Sequence, residues 1–138
     1  MNATLLYRIA ACVFVVTALG HTYSILSPPA PLQEVRAVYD SMHNVHFRAG
    51  GRSRSYGDIY RGLGLWATVS MIFWAYLSWH LGQLARSGPG PIGALGWAFF
   101  VVQLADLLLS LLYFHLPAVV LSGTVAVFVG LAAWLTGR

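Results

Sequence analysis

Four apolar runs of about 20 residues each, in a chain of 138, leave room for little besides a bundle of membrane-crossing helices. In lipid the backbone has no water to bond, so each crossing must satisfy its own amides, which a helix does. The first run extends from Thr4 to Leu26 and stops at Ser27-Pro28-Pro29. The second covers residues 56–85 and meets the breaker Ser87-Gly88-Pro89-Gly90-Pro91. The third and fourth cover 92–114 and 116–136, separated by His115-Leu116-Pro117, where Pro117 suits the first turn of a helix. Arg8 and the apolar stretch after it also fit a cleaved leader, but no A-x-A site follows and three more runs do. The first run is therefore read as a retained helix. The expected fold is all-α: one integral membrane domain over 1–138, a four-helix bundle, with loop 27–55 between helices one and two.

Composition supports that reading and closes others. Hydrophobic residues make up 58% of the chain and charged ones 9%, against about 25% charged in an ordinary soluble domain. The net charge of +4 comes from eight arginines and four acids, with no lysine. No basic stretch is interleaved with aromatics in a polar context, so nucleic acid is excluded as a partner. Cys12 is the one cysteine, so no intrachain disulfide, CxxC redox pair or thiolate metal set can form.

Small residues recur at helical steps in two runs: Gly64, Thr68, Ala75, Ser78 and Gly82 in the second, and Gly123, Ala126, Gly130, Ala133 and Gly137 in the fourth. Such stripes let helix backbones approach in lipid. If the helices alternate in direction, Trp79, Trp97 and Trp134 fall near the side of the amino terminus, and Tyr23, Tyr56, Tyr60 and Tyr113 near the other, as interfacial belts should. That other side also collects Arg36, Arg48, Arg52, Arg54 and Arg61, which leans it towards the cytoplasm by the positive-inside rule.

Within the long loop, LQEVRAVYDSMHNVHF places Leu32, Val35, Val38, Met42 and Val45 at helical steps. It predicts a short amphipathic helix that lies on the membrane or caps the bundle. Gly50-Gly51-Arg52-Ser53-Arg54 then reads as a flexible turn, and Ser55 with Asp58 as a capping box that starts the second crossing.

Asp106, inside VVQLADLLLSLLYF, is the residue most in need of explanation, because a carboxylate facing lipid is costly. Gln103, Asp106, Ser110 and Tyr113 form a polar stripe that is expected to face the bundle interior or a wet cavity. Thr17, His21 and Ser24 form another on the first helix. Counted from the loop side, His21 lies about 8 Å deep and Asp106 about 11 Å. Tyr60, Arg61 and Gly64 enter at similar depth, His115 sits at the turn, and Met42, His43 and His46 lie in the loop. The expected site is a polar pocket under loop 27–55, lined by Gln103, Ser110, Arg61, Thr17, Met42 and His115. It would take a lipophilic small molecule or a membrane partner, a second copy of the chain included, besides the bilayer itself.

Two roles stay open for Asp106. It either pairs with Arg61 or His21 to hold the bundle in register, or serves as a general acid or base with His21 or Tyr60 in a small isomerase, cyclase or oxidoreductase. Five histidines leave haem as a minor alternative, though no spacing makes a recognised metal set and no cofactor is required. The order of features resembles a group of small bacterial membrane proteins, broadly DoxX-like. Gly20-His21-Thr22 ends the first helix, Met42 and Phe47 follow in the loop, and Arg54-Ser55-Tyr56-x-Asp58-x-Tyr60-x-Gly62-x-Gly64 leads into three further spans. The resemblance implies a four-helix protein of a bacterial plasma membrane; it brings no activity and no catalytic residue.

Overall fold

A computed structural model describes residues 2–29, 31–87 and 92–137. Along them run α1 (Ala3–Leu26), α2 (Gln33–Asn44), β1 (His46–Ala49), β2 (Arg52–Ser55), α3 (Tyr56–Leu84), α4 (Gly93–Tyr113) and α5 (Leu116–Thr136). The four long helices match the four apolar runs to within a residue or so, and Pro117 sits in the first turn of α5 as expected. Residues 88–91 of the expected breaker lie outside the described residues.

Three helices, α1, α4 and α5, are long and apolar enough to cross a membrane. Among the described residues the protein is thus all-helical apart from one small hairpin, with the character of a multi-pass membrane protein. The second expected crossing does not meet the same standard. α3 is the longest helix at 29 residues, but Ser70, Ser78, His80, Gln83 and several tyrosines and tryptophans dilute its apolar content.

The chain divides into two compact units, Met1–Thr17 with Met71–Arg138, and Ala18–Ser70. The first is built on an apolar core. Leu6, Tyr7, Ala10 and Phe14 of α1 join Ala75 and Leu81 of α3, Ile92 and Phe99 at α4, and Val125, Val129 and Ala132 of α5. Phe99 lies between two rings, 5.7 Å from Trp74 and 6.2 Å from Phe14. The small-residue stripes do the packing predicted for them. A Cβ on Gly130 would stand 2.6 Å from the Phe100 ring, and one on Gly82 would stand 3.2 Å from the Thr4 carbonyl oxygen. Ser78 donates to the Tyr7 carbonyl at 2.7 Å, fully buried. Each contact joins the start of one helix to the end of another, so α1 with α3, and α4 with α5, run antiparallel.

The second unit is held differently. Its helix α2 buries no residue, and Leu32, Val35 and Val38 are exposed. The predicted helix is therefore present. The flexible turn after it is instead an antiparallel hairpin, with His46 opposite Ser55 and Ala49 opposite Arg52. Gly50 and Gly51, at φ 57° and 77°, form its two-residue turn. Both angles suit the mirror-image turns that match strand twist, and glycine reaches them without a Cβ penalty. The capping box forms as expected: the Ser55 N–H donates to Asp58 Oδ2 at 2.9 Å and the Asp58 N–H to Ser55 Oγ at 3.0 Å. Ser55 thus ends the hairpin and begins α3, which fixes how the loop enters the helix.

Candidate functional site

The expected site residues fall in both units. In the second unit, His21 Nε2 donates to the Gly64 carbonyl oxygen at 3.0 Å. At the next residue of α1, and one turn along α3 from Gly64, the Thr22 and Thr68 hydroxyls meet at 3.0 Å. Gly64 makes this approach possible, since a Cβ there would lie 2.5 Å from Ile25 Cδ1. His21 is therefore spoken for by a backbone acceptor, which no residue type in the sequence reveals. Thr22, absent from the expected site, supplies the second link.

Arg61 donates to the Tyr39 hydroxyl at 3.1 Å, which joins α3 to α2. The Tyr39 ring lies 4.1 Å from His43, and His43 donates from Nδ1 to the Tyr39 carbonyl at 2.8 Å. Against that imidazole stands Gly57, where a Cβ would approach within 2.6 Å. Met42 is half-buried, whereas Tyr60 is 55% exposed and makes no hydrogen bond among the described residues. The unit therefore ties Arg61, Tyr39 and His43 into one polar knot over the start of α3.

In the first unit the polar stripe of α4 divides. Gln103 and Ser110 are buried, at 2% and 5% exposure, and Ser110 bonds Ser122 of α5 at 2.9 Å. Gln103 Nε2 has no hydrogen-bond partner among the described residues. Asp106 and Tyr113, expected to share that inward face, are exposed. The reason is geometric. At about 100° per residue, Asp106 is rotated by about 60° from Gln103 and about 40° from Ser110, so the seam with α5 takes two of the four and leaves the others outside. Asp106 has no hydrogen bond or ion pair among the described residues.

Thr17 returns its hydroxyl to the Val13 carbonyl of its own helix, at 2.8 Å. His115 is exposed and precedes the first turn of α5, giving no side-chain cap. His46 bonds the nearby Asn44 carbonyl, and His80 stacks on Tyr76 at 6.0 Å. Among the described residues, no three metal-ligating side chains come together. The chain matches no family model, no curated protein and no solved structure.

Proposed function

We propose that this chain is a four-crossing integral membrane protein that acts as an accessory subunit, docking through the Asp106 face of α4 onto a helix of another membrane protein. Two observations support α3 as the further crossing. Leu63, Trp66, Val69, Phe73 and Tyr76 are all more than half exposed along it, an apolar surface suited to lipid. Its small-residue stripe also packs on α1 through Gly64, Thr68, Ser78 and Gly82. The resemblance to DoxX-like proteins of bacterial plasma membranes favours the same arrangement. The uncovered apolar side of α2 suits a helix lying on the bilayer surface.

The exposed carboxylate carries the functional reading. Asp106 lies about 20 Å from the start of α4 and about 10 Å from its end, well inside the hydrocarbon for a helix of this length. An aspartate there costs about 2.5–3.5 kcal/mol on insertion scales when it faces lipid, and it is relieved by a facing donor. Val102, Leu109 and Tyr113 flank it on the same exposed face. A two-fold pairing of this face with itself would need one Asp106 carboxyl to take up a proton and bond the other, since the Tyr113 hydroxyl lies about 10 Å further along the helix. A different chain, presenting arginine, lysine or an amide at that depth, fits better.

A photoreactive residue in place of Leu109, activated in native membranes, tests this. One discrete adduct, at a mass other than twice the chain, is expected. Asp106→Leu should abolish it, whereas Asp106→Asn, which still hydrogen-bonds, should keep part of it. An adduct at twice the chain mass, or lipid adducts alone, would sink the subunit reading.

A further inference from the structure

We propose that the amino-terminal end of α1 carries a binding site for an anionic phospholipid, with the headgroup phosphate held by Arg8 and Arg86 and an acyl chain in the groove that runs from Arg8 along α1. Two cavities carry this, and they share Leu5 and Arg8. One, of about 680 Å³, is lined by Asn2, Thr4, Leu5, Arg8 and Arg86. The other, of about 400 Å³, is lined by Leu5, Ile9, Cys12, Val13 and Val16 of α1, with Leu121 of α5 and the stem of Arg8. Polar and apolar compartments thus meet at Arg8, as the two halves of an amphiphile do.

Lipid tails lie against any transmembrane helix, so the groove alone selects nothing. The selective element is the pair of cations at its mouth. Neither Arg8 nor Arg86 forms an ion pair among the described residues, although they come from two different helices. Arg8 is positioned: its guanidinium carbon stands 4.8 Å from the centre of the Trp79 ring. Its Nε is buried and has no hydrogen-bond partner among the described residues. The Arg8 cation thus lacks a counter-ion among the described residues, and its terminal N–H groups, which match phosphate geometry with paired donors, are the ones a headgroup oxygen would meet. Trp79 marks the level as interfacial, where headgroups sit. The Thr4 hydroxyl and the Asn2 side chain add neutral polar groups at the rim.

Cys12 makes the site measurable. It is the one cysteine of the chain, it is exposed, and it lies in the apolar groove. In the purified full chain in detergent, phosphatidylglycerol should slow alkylation of Cys12 by a lipophilic maleimide, and phosphatidylcholine with the same acyl chains should do so far less. Native mass spectrometry should show the same preference as retained lipid. Removing one cation near an anionic headgroup weakens binding by about fivefold. Arg86→Gln, at an exposed residue, should therefore cost phosphatidylglycerol about that factor, and Arg8→Gln at least as much, with Arg8→Lys recovering part. Ile9→Trp should fill the groove and remove the protection without altering charge. Should Arg8→Gln fail to fold for loss of its Trp79 contact, Arg86→Gln and Ile9→Trp still decide the matter. Equal retention of the two lipids, or an Arg86→Gln variant that holds phosphatidylglycerol unchanged, overturns the proposal. So does glycerol phosphate, the headgroup without tails, if it competes as well as the whole lipid does.

Discussion

The two units of this protein are held by opposite means, although α1 and α3 run through both. Residues 1–17 and 71–138 share a core of eleven buried apolar side chains, with rings stacked on Phe99. Residues 18–70 bury little apolar area and rely on named hydrogen bonds instead: Thr22 with Thr68, His21 with the Gly64 carbonyl, Arg61 with Tyr39, and the reciprocal pair at Ser55 and Asp58. The comparison teaches where tolerance should lie. A core spreads its stability over many contacts, so the cost of a truncation there grows with the void it leaves. A hydrogen-bonded unit has few contacts, so each is individually visible.

The comparison breaks most sharply at Phe99. Phe99→Ala should cost about 3–5 kcal/mol through lost packing and a residual cavity, read as a large drop in thermal midpoint in detergent. Protection of the α2 and hairpin amides from exchange should persist after that loss if the units are energetically separate. Gly64→Leu comes next. It forces a side chain into the space of Ile25 and should cost about 1–3 kcal/mol. Ile25→Ala in the same chain should restore much of it, and a double-mutant cycle measures that coupling. The smallest effect belongs to the cap. Ser55→Ala should cost about 1 kcal/mol and should quicken exchange at the first turn of α3 and in β2, while leaving the Phe99 core unaltered. If all three substitutions lower one common transition equally across every amide, the two-unit description fails.

Much of the fold was legible because its punctuation is chemical. The end of α1 at Leu26 is marked by Pro28 and Pro29 just beyond it, the start of α5 at Leu116 by Pro117, and the start of α3 by the Ser55–Asp58 spacing. The hairpin was not legible from its strands. HFRA and RSRS are four residues each, and the first alternates only Phe47 and Ala49 while the second has no apolar residue, too short a pattern to mark a strand. Its signal was the Gly50-Gly51 pair, a turn that demands positive φ at both residues. The site was less legible than the fold. Spacings of three and four residues define a face about 100° wide, and only the neighbouring helix decides which edge is buried. Gln103 and Ser110 fell on the covered edge and Asp106 on the open one. His21 bonds a carbonyl, an acceptor present at every residue and hence invisible to any search by residue type.

The hairpin turn has a practical consequence for reading the molecule from outside. Gly50 and Gly51 are exposed, and nothing stands within 4 Å of where their side chains would be. The ladder closes between Ala49 and Arg52, so extra residues inserted between the two glycines lengthen the loop without shifting the register of the strands beneath. A short epitope placed there is a flag on a mast stepped into α3. On the four-crossing arrangement proposed above, whether antibody reaches it in sealed vesicles or only in opened ones gives the orientation of every helix at once.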